Sequence, residues 1–129
     1  MLLDTRVLLW LLADDPRLGV GTRRALASAI QVLVSTASLW EIAIKVERGK
    51  LTVPDDLPER VRSSGLGWLP VSPEHAWAVR SVTGLPHRDP FDHMLIAQAG
   101  CASLIMVTAD RALLGAAASP AVRLLDARG

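Results

Sequence analysis

Asp92-His93-Met94-Leu95-Ile96-Ala97-Gln98-Ala99-Gly100-Cys101-Ala102, followed almost at once by Leu104-Ile105-Met106-Val107-Thr108, is the stretch whose reading decides the fold. After Asp92 the spacing predicts a helix to about Ala102. Leu104 to Val107 is too short for a helix and apolar at every position, the pattern of a strand covered on both faces. A helix that feeds a fully buried strand is half of a parallel crossover unit. Asp110 then follows the strand, so the unit ends in a carboxylate.

The same alternation extends outward along the chain. Gln31-Val32-Leu33-Val34-Ser35 reads as a second strand, followed by a helix from Ser38 to Arg48 that Gly49 is placed to stop. Met1-Leu2-Leu3-Asp4 reads as a short buried strand ending in a carboxylate, with helical sequence from Thr5 to about Ala13 that Asp15-Pro16 breaks. Thr22 to Ile30 has helical spacing, and Pro54 and Pro58 flank a loop leading to a short helix around Leu57 to Arg62. Trp68-Leu69-Pro70-Val71 is a weak third strand, and Ser72-Pro73-Glu74 opens a helix to about Val82 with serine at the cap and proline in the first turn. Thr83 to Phe91 reads as loop, Ala112 to Ala118 as a final short helix and Val122 to Leu125 as the last strand. The expectation is a single α/β domain over residues 1–129, with a central, mostly parallel β-sheet flanked by α-helices.

Composition narrows the function classes. At 129 residues, half of them apolar, the chain can bury a core without covalent staples. Cys101 is the only cysteine, which excludes an internal disulfide and makes a reducing cytoplasm the expected location. The apolar run Val7 to Ala13 is too short to cross a bilayer, so no membrane is expected as a partner. A net charge of +1 is not that of a domain coating nucleic acid by charge alone. All the basic residues but Lys45 and Lys50 are arginines, among them Arg6, Arg48, Arg88 and Arg111. Arginine suits phosphate by its planar fork of donors, although a G+C-rich genome produces the same bias. No glycine-rich phosphate loop is present. His75, His87 and His93 lack zinc-like spacing; His93, beside Asp92, is the one placed to face a site, but a solvent position in the first turn of the helix is its plainer reading. Trp10, Trp40, Trp68 and Trp77 lie within apolar runs and read as core or interface residues rather than base-stacking platforms.

Asp4, Asp92 and Asp110 all occupy strand-to-helix junctions, and Glu41 lies in the first turns of the helix after the second strand. In open α/β sheets the ligand crevice lies beyond the carboxyl ends of the strands, where such residues converge. Carboxylate oxygens suit a hard divalent cation that keeps several waters and a substrate phosphate. Each acid also has a plainer reading. Asp4 can form an Asx-turn, and Asp92 and Asp110 can be helix caps worth about 1 kcal/mol each. Glu41, with Lys45 and Arg48 on the same helix, can be part of a solvated face.

Four segments carry a family resemblance: Leu2-Leu3-Asp4-Thr5; Ser35-Thr36-Ala37-Ser38-Leu39-Trp40-Glu41-Ile42-Ala43-Ile44-Lys45; Arg88-Asp89-Pro90-Phe91-Asp92-His93-Met94-Leu95-Ile96-Ala97-Gln98-Ala99; and Val107-Thr108-Ala109-Asp110. In order and spacing they resemble the successive motifs of the PIN-domain ribonucleases of the VapC toxin type, and the two long middle segments are the specific ones. The resemblance implies a PIN-like fold and a metal-dependent endoribonuclease that binds Mg²⁺ or Mn²⁺. It also implies a homodimer and a cognate VapB-like antitoxin. By motif position it places Asp4, Glu41, Asp92 and Asp110 in the acidic site, as catalytic and metal-binding residues. Asp89 competes for the third position, and Asp92 is preferred because it immediately precedes the apolar helix, whereas Pro90 reads as a break that cuts Asp89 off from it. Arg6 departs from the pattern, since histidine commonly follows the Asp-Thr pair in relatives. Thr5, Ser38 and Thr108 flank the acids and are candidates to orient them.

Two other functions compete. A haloacid-dehalogenase-type phosphatase also begins with an aspartate after its first strand, but it requires a second aspartate two positions on, where this chain has Arg6. A PIN-like binding module without catalysis is opposed by the retained acids. The continuous apolar stretch Val7 to Leu12 is broader than one buried helix face needs, which points to coverage by another chain.

Overall fold

The computed structural model describes residues 1–129. Five strands form one sheet: β1 (Leu2–Leu3), β2 (Leu33–Ser35), β3 (Gly67–Leu69), β4 (Met106–Thr108) and β5 (Leu124–Asp126). Their spatial order is β3-β2-β1-β4-β5, and every pairing is parallel, so the expected mostly parallel sheet is entirely so. From central β1 the chain steps outward to β2 and β3, then returns to place β4 on β1's other side. The reversal makes the gap beyond the ends of β1 and β4 the switch point, where an open α/β sheet opens a crevice.

Register assigns the two faces of the sheet. Leu2 lies beside Leu33 and Met106, and Leu3 beside Val34 and Val107. Side chains alternate across a strand. The first row therefore packs with Leu95, Ile96, Ala99 and Leu113 on one face, and the second with Val7, Leu8, Trp10, Ile42 and Val61 on the other. All six row residues are buried, which explains why these strands read as continuous apolar runs.

Seven α-helices surround the sheet: α1 (Thr5–Leu12), α2 (Val20–Ser28), α3 (Thr36–Glu47), α4 (Leu57–Ser63), α5 (Pro73–Ala78), α6 (Pro90–Ala102) and α7 (Arg111–Leu114). A 3₁₀ turn at Val79–Ser81 continues α5. The start of α3 falls two residues earlier than its spacing predicts, because the Ser35 hydroxyl accepts the Ala37 N–H at 3.0 Å and caps the helix. Gly49 closes α3 as expected, with φ at +71°, a conformation glycine adopts without steric cost. At the other end of the chain α7 is shorter than the predicted Ala112 to Ala118, ending in a cap at Gly115.

One correction bears on the site. Asp92 does not open α6. Asp89 is the cap, accepting the N–H groups of Phe91 and Asp92, and Pro90 is the first helical residue. Proline suits that position because its missing N–H has no intrahelical partner there. Asp92 therefore sits in the first turn with its own carboxylate free of capping.

The tryptophans read as core or interface residues divide: Trp10 is buried, whereas Trp40 and Trp77 are 64% and 68% exposed. The apolar stretch on α1 divides, with Val7, Leu8 and Trp10 buried and Leu9, Leu11 and Leu12 only partly covered. No helix is long and apolar enough to cross a membrane.

Ile96 is fully buried on α6. Ile96→Ala is expected to lower unfolding free energy by about 2–5 kcal/mol in urea titration, through lost transfer energy and the cavity left behind.

Candidate active site

Asp4 directly follows β1 and caps α1, its Oδ1 accepting the N–H of Arg6 at 2.8 Å and of Val7 at 3.3 Å. Its Oδ2 accepts the Thr108 hydroxyl at 2.6 Å. Thr108 ends the neighbouring strand, and its Oγ1 also accepts the Asp110 N–H at 3.1 Å. One buried hydroxyl thus ties the acid after β1 to the backbone of the acid after β4. Asp110 caps α7 through Oδ1, which receives the Ala112 and Leu113 N–H groups, leaving Oδ2 directed elsewhere.

Glu41 reaches the same place from the second turn of α3. Its Oε1 accepts the Thr5 hydroxyl at 2.7 Å and its Oε2 pairs with Lys45 Nζ at 2.9 Å. The salt pair read from the sequence forms, but Glu41's side chain is only 14% exposed, so this is not a freely solvated face. Asp92 arrives from the first turn of α6. All four acids line one cleft of about 420 Å³, with Asp89 beside them and Arg6, Lys45 and Lys50 among its other walls. Of the flanking hydroxyls, Thr5 and Thr108 hold acids, whereas Ser38 Oγ is buried and bonds to none of them.

A residue missed in the sequence completes the cluster. His87 Nε2 lies 3.3 Å from Asp92 Oδ2 and 3.4 Å from Asp110 Oδ2. His93, the histidine singled out for its place beside Asp92, turns its Nδ1 to the Asp89 carbonyl at 2.8 Å. The available signal was Pro86-His87-Arg88-Asp89-Pro90, a histidine held between two prolines ahead of a helix start.

The electrostatics fit a cation-binding pocket. Burial pushes Asp92 up to about 7, reinforced by the charges of Asp89, Asp4 and Asp110 and opposed by His87. Burial also raises Asp4 above the ordinary carboxylate range, against the hydrogen bonds from Thr108 and the α1 amides. For Asp110 burial acts upward too, but the Leu113 amide, His87 and the Ala112 amide together hold it below its usual value. Acids that repel one another inside partly desolvated walls favour the neutral form, and a divalent cation reverses that preference. An oxygen-rich donor set suits Mg²⁺ or Mn²⁺.

A family model described as the PIN domain matches residues 1–118. No curated protein sequence matches the chain. Among solved structures, VapBC from Salmonella typhimurium, bound to DNA, is similar with a TM-score of 0.69 and 20% identity, covering 97% of this chain and 96% of that one. VapBC2 from Rickettsia felis, bound to a fragment of its promoter, gives 0.65 and 13%, with 96% of each chain covered. A toxin–antitoxin complex from Klebsiella pneumoniae gives 0.59 and 18%, covering 88% and 89%. At these identities the likeness is one of fold.

The raised Asp92 carboxyl has a consequence for stability. Below about pH 4 the group is protonated in both folded and unfolded chains. Between about pH 4 and its folded value of about 7 the native state keeps a proton that the unfolded chain releases. Its stabilising contribution is therefore full at low pH and lost as pH rises through about 7. Metal-free Asp92→Asn is expected to melt higher than wild type at pH 8, with the gap closing as pH falls toward 4. Thermal melts in EDTA across that range check this, and a constant gap would remove Asp92 from the cluster.

Proposed function

The chain belongs to the PIN-domain family, a family of nucleases, and on that premise we propose that it is a metal-dependent endoribonuclease, the VapC-type toxin of a type II toxin–antitoxin pair. The observation that carries the proposal is the convergence of Asp4, Glu41, Asp92 and Asp110, from four separate elements, on one cleft at the switch point. RNA as substrate follows from the likeness of the four motifs to those of VapC toxins. We read residues 1–129 as one such domain, working in the cytoplasm.

Asp4, Asp92 and Asp110 would hold Mg²⁺, with Mn²⁺ able to substitute, and Glu41 would steady the site from α3. When bound, the cation polarises the scissile phosphate and lowers the pKa of a coordinated water. The protein's own groups do the positioning. Thr108 fixes the Asp4 carboxylate, Thr5 and Lys45 fix Glu41, and Lys45, Lys50 and Arg6 meet the phosphate backbone at the cleft walls. The short reach of this basic rim matches a chain whose net charge is only +1.

Partners follow from a second surface. An apolar groove of about 630 Å³ runs between α1 and α4, lined by Leu9, Trp10, Leu12, Leu51, Val53 and Leu57. It shares Arg6, Leu9 and Leu51 with the acidic cleft. A VapB-like antitoxin segment lying there would cover the apolar surface and approach the acids together. Exposed Trp40 and Trp77 favour a homodimer as well. Light scattering of folded, antitoxin-free protein at micromolar concentration is expected to give the dimer mass, and a monomer alone would overturn that part.

The activity test is cleavage of single-stranded RNA with Mn²⁺, set against EDTA. Asp4→Asn, Asp92→Asn and Asp110→Asn are each expected to lower the rate by about a hundredfold or more, since even outer-shell changes at metal sites cost 10- to 100-fold. Asp14→Asn and Asp126→Asn, outside the cleft, are expected to cut at the wild-type rate. Loss in Asp89→Asn with full activity in Asp92→Asn would exchange the third acid. Equal cleavage in EDTA would overturn the metal-dependent reading.

A further inference from the structure

We propose that His87 is itself a ligand of the cation, giving the acidic site one nitrogen donor and a preference for Mn²⁺ over Mg²⁺. The inference rests on the metal-dependent reading above and goes beyond the four carboxylates. The separations of His87 Nε2 from Asp92 Oδ2, 3.3 Å, and from Asp110 Oδ2, 3.4 Å, are close to those between neighbouring ligands of one ion. Two ligands side by side on an octahedral ion with bonds of about 2.1 Å lie roughly 3 Å apart. All three donor atoms fall within 4.8 Å of one another, so a single ion can reach them.

His87 sits where the loop can present it. Its side chain is 37% exposed, so the ring is accessible to solvent, and Pro86 and Pro90 restrict the backbone around it. The Asp89 N–H points to Nδ1 at 3.4 Å, which fits the tautomer with the ring proton on Nε2, between the two carboxylates. Ion binding requires the other neutral tautomer, with the proton on Nδ1 and the Nε2 lone pair on the ion. The exchange gives up the Asp89 N–H contact and the Nε2–H contacts to Asp92 and Asp110, all near the long limit of a hydrogen bond, in return for coordinate bonds to one ion. Imidazole suits Mn²⁺ and later transition metals better than Mg²⁺, which favours an all-oxygen shell with several waters.

The experiment is pulsed electron paramagnetic resonance of the full chain loaded with Mn²⁺, read for nitrogen coupling, with no substrate present. Wild type is expected to show coupling to an imidazole nitrogen, His93→Ala to keep it, and His87→Ala to lose it while still holding Mn²⁺. In thermal melts, His87→Ala is expected to lose most of the excess stabilisation by Mn²⁺ over Mg²⁺, as its Mn²⁺ affinity falls roughly tenfold or more. Bound Mn²⁺ without nitrogen coupling, or coupling that survives His87→Ala, overturns the His87 assignment and leaves the nuclease reading intact. A chain that binds no Mn²⁺ in wild type overturns both.

Discussion

The arrangement depends on β1, a strand of two residues, held between two neighbours with no slack. Leu2 N–H donates to the Ile105 carbonyl and Asp4 N–H to the Val107 carbonyl, while the Met1 carbonyl accepts the Leu33 N–H. Leu2 and Leu3 point to opposite faces, and each is fully buried in a different apolar cluster. A slip of one residue would exchange those faces and carry Asp4 away from Thr108. The same register that closes both halves of the core therefore brings the acids after β1 and β4 together.

The site inherits its order from this constraint. Three of its acids stand within a residue or two of a strand end or in the first turn of a helix, where backbone amides and hydroxyls are at hand. Asp4 and Asp110 each commit one oxygen to a helix terminus and keep the other turned inward. Capping and site chemistry, set against each other in reading the sequence, are thus compatible. The two oxygens of a carboxylate divide the work.

Much of this was legible in the residues because burial on both faces leaves a strong mark. Leu2-Leu3 and Met106-Val107 declare strands without alternation, and Asp4 and Asp110 just beyond their ends follow from the direction of the chain. What was not legible depended on local geometry with no periodic signal. Reading Pro90 as a break hid the role of Asp89 as cap, although an Asp-Pro pair is a natural helix start. His87 lies 23 residues from Asp110, and only the folded path of the loop brings the two together. The exposure of Trp40 and Trp77 escaped for a related reason: an apolar run identifies a helix more readily than the face each residue takes.

The double engagement of Asp4 also governs how its position tolerates mutation over generations. The side chain must be short enough to cap α1, carry an acceptor toward the amides, and offer a second oxygen to Thr108. Asparagine meets the first two demands and loses the charge, so the helix keeps its cap while the cleft loses one carboxylate. Alanine loses the cap as well and costs about 1 kcal/mol of stability. Glutamate keeps the charge, but its extra methylene displaces both oxygens in a pocket already closed around them. Of these three changes, only asparagine removes the charge while keeping the cap that α1 needs.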